Sequence, residues 1–294
     1  MKITAELVKT LRERTGAGMM ECKSALVESE GDIDLAADAL RKKGIAKADK
    51  KAGRIAAEGV IASALSADGR QGVLVEVNCE TDFVASGEEF RRFADAVAQA
   101  ALNLEDDSLE ALQAARLPNG ETVDEARRGL VARIGENIGV RRFARLASSG
   151  HLVRYLHPPR ERIGVLVAYE GGDGELGRDL AMHVAASRPL AVRADEIPAD
   201  VIAKEREIVA AQSASEGKPP HIIEKMIEGR LRKYLAEITL LGQPFVKDPD
   251  TTVEKLLAGA RAGVSGFVRL EVGEGIEKKR DDFVGEVMRQ VRGE

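Results

Sequence analysis

The chain opens on helical periodicity. Leu7, Val8 and Leu11 recur at spacings of three and four behind Thr4, a residue suited to capping a helix N-terminus. Thr15-Gly16-Ala17-Gly18 interrupts that pattern. A second helix is expected from about Met19 to Glu28, with Gly31 as its stop because glycine takes the left-handed conformation readily. Asp32 would cap a third helix through Leu35, Ala39 and Leu40, closed by Gly44. A unit this small has a thin core and usually exists to present a surface. Lys47 to Arg54 is basic, Ala-rich and poorly amphipathic, and reads as a solvated helical linker.

The period then changes to two. Glu58–Leu65 and Gly72–Val77 read as strands joined through Asp68-Gly69, a common hairpin pair. After Asn78-Cys79-Glu80-Thr81-Asp82-Phe83-Val84-Ala85, Ser86 and Glu89 have the spacing of a capping box. The helix they would open carries Phe90, Phe93 and Val97, and further helices follow at about Leu109–Ala115 and Val123–Gly135. An echo comes later: Gly72-Val73-Leu74-Val75 recurs as Gly164-Val165-Leu166-Val167. The helix after the first copy carries Phe93-Ala94 and Val97-Ala98; that after the second carries Leu180-Ala181 and Val184-Ala185. A hairpin-plus-helix unit is therefore expected twice. Helical spacing returns from Pro198 to Ser215, and Gly217-Lys218-Pro219-Pro220 reverses the chain. Ile223, Ile227, Leu231, Tyr234 and Ile238 then line one face of a second arm, making a helical hairpin. Glu237–Leu241 and Phe267–Val272 read as strands, and Asp281–Arg292 as a last helix.

Composition narrows the function. Hydrophobic residues are 44% and charged residues 32% of the 294, a globular balance rather than a disordered one. Aromatics are only 3% and the net charge is −5, so stacking platforms and whole-molecule attraction to nucleic acid are both weak. The basic stretch Lys42–Arg54 is read as a solvated helix face ahead of a nucleic-acid patch, since no aromatics interleave with it. Two cysteines, Cys22 and Cys79, are too few for a disulfide scaffold and suit a reducing compartment. No run approaches the ~18 apolar residues of a membrane span, and no secretory signal is read at the N-terminus, so a cytoplasmic protein is expected. Four histidines without paired spacing point away from a metal site, and no phosphate-binding loop of the Walker type is present. No cofactor is expected.

Five segments carry a resemblance. They are Leu11-Arg12-Glu13-Arg14-Thr15-Gly16-Ala17-Gly18-Met19-Met20-Glu21-Cys22-Lys23, Val77-Asn78-Cys79-Glu80-Thr81-Asp82-Phe83-Val84-Ala85, Ala181-Met182-His183-Val184-Ala185-Ala186-Ser187, Gly242-Gln243-Pro244-Phe245-Val246 and Phe267-Val268-Arg269-Leu270-Glu271-Val272-Gly273-Glu274-Gly275-Ile276-Glu277. Together, in this order, they resemble the bacterial elongation factor Ts family over essentially the whole chain. The resemblance implies an α+β fold: a UBA-like three-helix unit with its basic linker over 1–54, and a core of two halves with small antiparallel sheets. The core halves would span 55–148 and 149–272, the second holding a helical hairpin at about 188–232, and a short module would span 273–294. It implies no enzyme. It implies guanine nucleotide exchange on elongation factor Tu, the expected partner, with no nucleotide, nucleic acid or membrane bound directly.

The resemblance also implies which residues act. Thr81, Asp82, Phe83 and Val84 would form a protruding tip whose phenylalanine enters an apolar crevice of the partner and dislocates its Mg²⁺. Phe83 read alone is an ordinary core residue ahead of a helix. Arg12, Met19 and Met20 resemble a second contact surface, with one methionine expected to pack inside the three-helix unit. His157 and His183 resemble partner-facing positions, although a histidine on an Ala-rich helix face is also read as a packed, hydrogen-bonded core residue. The family pattern is altered after His157, where Pro158-Pro159-Arg160-Glu161 lengthens the turn, and at Arg178, which stands where Lys is frequent.

Two rival chemistries are visible. Gly172-Asp173-Gly174-Glu175-Leu176-Gly177 matches the glycine spacing of a dinucleotide-binding turn, with Asp195 further on, and would suggest a dinucleotide-binding enzyme. Asp173 and Glu175 would oppose a pyrophosphate, and Arg188-Pro189 breaks the segment before any second strand. Cys79 with His183 would suggest thiol catalysis, but no local signature of a cysteine nucleophile surrounds Cys79. A ubiquitin-like binding module formed by the N-terminal unit would leave most of the chain unexplained.

Overall fold

The computed structural model describes residues 3–214 and 219–277. The expected helix Asp281–Arg292, most of the 273–294 module and Gly217-Lys218 of the hairpin turn lie outside the described residues. Three helices come first: α1 (Ala5–Thr15), α2 (Met19–Glu28) and α3 (Ile33–Lys51). Thr4 caps α1 by accepting from the Leu7 amide, and Asp32 caps α3 by accepting from Asp34 and Leu35. Their core is Val8, Leu11, Cys22, Ala25, Leu26 and Ala36. Two expectations fail here. Leu35 is 60% exposed, because Ala36 takes the inward position. Gly44 does not end α3, which runs on to Lys51 and absorbs most of the expected linker. The reason is packing: Gly44 is buried, and a Cβ on it would lie 3.1 Å from that of Ala132 on a crossing helix. Tertiary contact thus uses the small residue that local propensity would read as a stop.

The first sheet joins β1 (Glu58–Leu65), β2 (Gln71–Cys79) and β3 (Gly139–Ala147), with β2 central and all pairs antiparallel. Between β2 and β3 lie α4 (Asp82–Ala85), α5 (Glu88–Leu102), α6 (Leu109–Ala114) and α7 (Val123–Ile134), and α3 crosses on α7. Val73, Val75, Val77 and Cys79 point from β2 to a core that includes Phe90, Phe93, Ala94 and Val97 of α5. The expected capping box does not form. Ser86 Oγ donates to the Asp82 carbonyl, Glu89 pairs with Arg133 at 2.5 Å, and Gly87 becomes the N-cap of α5.

The second sheet repeats the plan with β4 (His151–Leu156), β5 (Ile163–Glu170) and, late in the chain, β8 (Gly263–Glu271), with β5 central. α8 (Gly174–Ser187) follows β5 and buries Leu180, Ala181, Val184 and Ala185 against Val165, Val167 and Tyr169. A 3₁₀ turn (Ala194–Glu196) leads to the hairpin of α9 (Ala199–Ala214) and α10 (Pro220–Ile238), which pack through Val209 and Ile227 and an Arg206–Glu224 pair at 3.0 Å. The strand expected at Glu237–Leu241 is instead the end of α10 followed by a single bridge, Ala191 to Thr239. The small pair β6 (Pro244–Phe245) and β7 (Asp248–Thr252) and helix α11 (Val253–Gly259) complete this half.

The even-numbered face of each central strand explains the echoed glycines. Ile61, Leu74, Leu166, Leu270 and Val272 form one apolar layer between the sheets. A Cβ on Gly72 would fall 2.7 Å from Leu152, and one on Gly164 would fall 2.4 Å from Ile61. Each glycine stands where the facing side chains leave no room for a Cβ. Glu76, fully buried in the same layer, accepts from Arg141, Arg142, Asn78 and the Gly273 amide, so the first half holds the strand exit of the second. Burial alone would push the Glu76 carboxyl up; the Gly273 amide and Arg142 outweigh it and hold the group below its ordinary value.

Candidate functional site

The site starts from a strand end. β2 leaves the core at Cys79, and one helical turn, α4, precedes α5. Thr81 caps that turn by accepting from the Val84 amide, and Gly87 closes it by donating to the Val84 carbonyl. Ala85 is buried and Val84 packs half-buried against the first core, so the turn has a fixed underside. Immediately before them Phe83 stands 86% exposed, more than any other large hydrophobic side chain among the described residues. Fully burying such a ring would gain ~1.5–3 kcal/mol, which the isolated fold forgoes. An aromatic held in water on a pinned turn is informative in a way that an ordinary surface leucine is not.

The surround is polar. Asp82 pairs with Arg160 at 3.1 Å, and Arg160 comes from the turn between β4 and β5. Glu136, just beyond α7, accepts from the Glu80 and Thr81 amides at 3.1 and 3.0 Å and from the Thr81 hydroxyl at 2.7 Å. Glu58, Glu80, Thr81, Asp82, Phe83 and Arg160 line a shallow hollow of about 290 Å³. Arg160 and Glu136 escape a reading of the sequence, since each is brought to the tip from a distant point of the chain. The lengthened turn after His157 is the one visible hint of Arg160.

The other expected residues lie apart from this tip. Arg12, Met19 and Met20 are all exposed on the three-helix unit, the methionines 55% and 74% exposed. Neither methionine packs inside; Cys22, Ala25 and Leu26 fill that role. Met20 also edges a cleft of about 860 Å³ between that unit and α7. His157 is exposed, and its Nδ1 lies 2.8 Å from the Tyr155 hydroxyl. His183 is a correction: it is fully buried, so its side chain offers no surface to a partner. Burial pushes its imidazole below the ordinary value, against the raising effect of the Gln243 hydrogen bond. Nδ1 accepts from the Val246 amide, so Nε2 carries the proton and donates to Gln243 Oε1 at 2.9 Å. His183 therefore fixes the loop that exposes Val246 rather than touching a partner itself.

The rival sites have no suitable geometry. Cys79 lies in the first core and His183 in the second half, and burial pushes the Cys79 thiol up to about 12, far from a reactive thiolate. The glycine turn before α8 leaves the central strand of an antiparallel sheet rather than a parallel βαβ unit. Asp173 itself caps the α8 N-terminus through the Leu176 amide, and Gly177 is packed under the Tyr169 ring. No helix among the described residues is long and apolar enough to cross a membrane.

Fold and site together define an α+β protein that carries an exposed aromatic on a braced turn, with a second apolar surface on a small helical unit. A family model described as elongation factor TS matches residues 80–274. Similar relatives include the elongation factor Ts of Alkalilimnicola ehrlichii, 60% identical over 294 residues with 100% of each chain covered. That of Halorhodospira halophila is 58% identical over 292 residues and that of Methylococcus capsulatus 58% over 293, each with 99% of both chains covered. The chain belongs to the elongation factor Ts family, and its role is in translation elongation.

Proposed function

We propose that this chain is a guanine nucleotide exchange factor for elongation factor Tu, and that Phe83 is its lever. The supporting observation is the ring's exposure on a turn whose other apolar residues are anchored. Seated in an apolar crevice between two helices of the partner, the ring would gain ~1.5–3 kcal/mol from burial. That is enough to change an equilibrium by roughly 10–150-fold. A smaller side chain would not hold the helices apart. Their displacement disturbs the partner's Mg²⁺ beside the phosphates, and the unscreened phosphate charge weakens GDP binding. Asp82 and Arg160 orient the tip, while Arg12, Met19, Met20 and His157 add separate contact.

The work is binding, not bond chemistry, so the protein is no enzyme in the covalent sense. Linkage fixes the logic: if the factor weakens GDP by some ratio, GDP weakens the factor by the same ratio, and GTP then completes the exchange. The chain itself binds no nucleotide on this reading, and its compartment is the cytoplasm, where translation runs. The unit boundaries of 1–54, 55–148, 149–272 and 273–294 belong to the same proposal. The test is release of fluorescent GDP from elongation factor Tu. This protein should accelerate it strongly and Phe83→Ala weakly; no acceleration by the unaltered chain would refute the reading.

A further inference from the structure

Phe83 is only as effective as the turn beneath it is stiff. The main external clamp on that turn is a carboxylate. Glu136 follows Gly135, whose left-handed backbone (φ 85°) ends α7 and turns the chain toward β3. Its two oxygens accept from both amides leading into α4 and from the Thr81 hydroxyl. The Thr81 hydroxyl can then only accept from the Val84 amide, which is the bond that caps the turn carrying Phe83. Glu136 is thus one hydrogen bond removed from that turn and fixes the direction in which the tip leaves the sheet.

The residues on either side of Glu136 also reach back to the end of α3. Lys51, the last residue of α3, donates to the Gly135 carbonyl. Asn137 donates to the Ala52 and Arg54 carbonyls through its side chain, at 3.3 and 2.7 Å, and to the Glu80 carboxylate through its amide at 2.6 Å. Arg54 pairs with the same Glu80 at 3.0 Å. Three consecutive residues therefore join the end of the helix that carries the N-terminal unit to the start of the tip.

We infer that Glu136 is the positioning residue for Phe83, and that the Gly135–Asn137 turn holds the exposed methionine surface and the aromatic tip in one fixed relation. This rests on the proposed exchange reading. A lever that must force a pair of helices apart needs a fulcrum; with the clamp removed, Phe83 samples many directions and its seating carries an ordering cost. Contact through Met19 and Met20 is left in place. Loss of Glu136 therefore lowers the maximal rate of GDP release more than the factor concentration needed for half that rate.

The experiment uses the full chain in four forms: Glu136→Ala, Glu136→Gln, Glu136→Asp and Glu136→Ala with Phe83→Ala. Folding is monitored by thermal melting. Glu136→Ala should cut maximal GDP release about tenfold, the scale of one charge-assisted hydrogen bond. Gln, which keeps the reach and an acceptor oxygen, should retain more than Asp, which keeps the charge but is one methylene short; a merely electrostatic role predicts the reverse. In the Phe83→Ala background Glu136→Ala should cost almost nothing further. Without any partner, the Glu80 and Thr81 amides should exchange hydrogen about tenfold faster in Glu136→Ala. Full release by Glu136→Ala, multiplicative losses in the double variant, or unchanged amide exchange would each overturn the inference. Should the unaltered chain fail to release GDP while amide exchange responds as stated, the exchange reading falls and the clamp stands as a structural fact alone.

Discussion

Two connections leave two strands built on the same four residues and end differently. β2 and β5 carry the same Gly-Val-Leu-Val sequence, sit centrally in antiparallel three-stranded sheets and feed helices that cover one sheet face. After β5 the chain turns through Gly171 and Gly172, both in left-handed conformations, and closes on itself. Tyr169 lies back over Gly177 and donates to the Asp173 carbonyl at 3.3 Å, so the local aromatic is buried. After β2 the turn has no such glycine pair. It is clamped from outside by Glu136 and Arg160, and its aromatic points into water. The scaffold is shared and the specialisation lies in the connection, a common division of labour between core and loop.

The contrast collapses most severely when the aromatic that the first half buries is removed. Phe90 is fully buried seven residues after Phe83, and Phe90→Ala should destabilise the fold by ~3–5 kcal/mol in urea unfolding. The interface between the halves gives the next effect. Glu76→Gln leaves Arg141 and Arg142 facing a neutral amide, and a loss of about 2–3 kcal/mol is expected, moderated because both arginines are partly solvated. The sign with pH follows from the lowered carboxyl. The unfolded chain takes up that proton more readily. The stabilisation is therefore complete above the ordinary Glu value of about 4.3, and it is lost as pH falls through the depressed folded value. Acid unfolding of Glu76→Gln should show a shallower dependence in that window, and an unchanged acid limb would mean Glu76 does not link the halves. The smallest effect is expected at Cys79. Its thiol donates to the Thr81 carbonyl at 3.2 Å, a bond that serine can keep, so Cys79→Ser should cost about 1 kcal/mol in stability and leave GDP release intact. A lost exchange activity there would revive thiol chemistry.

Much of the scaffold is legible in the sequence because local chemistry and tertiary demand agree. Thr4 and Asp32 cap the helices they announce, and the echoed strands alternate between a helix-facing core and the layer between sheets. Legibility fails where packing overrides a local signal. Gly44 serves a close helix crossing instead of a stop, and Glu89 is drawn to Arg133 instead of capping α5. Phe83 is legible only through the resemblance, because nothing in its neighbours' polarity distinguishes a buried ring from a presented one. Glu136 is invisible and Arg160 is hinted at only by the lengthened turn that carries it, since the meaning of both lies in contacts across the fold that no local pattern encodes. His183 shows the opposite failure: a residue within a signature segment supports the surface from beneath without reaching it.

On the proposed function, the exposed ring of Phe83 is what displaces the nucleotide. The most direct measurement places 4-fluorophenylalanine at position 83 and follows its fluorine resonance as elongation factor Tu·GDP is added, with GDP release recorded on the same sample. The resonance should move from a solvent-exposed to a buried environment in step with GDP loss. A resonance that stays solvent-exposed while GDP departs would rule out the ring as the lever.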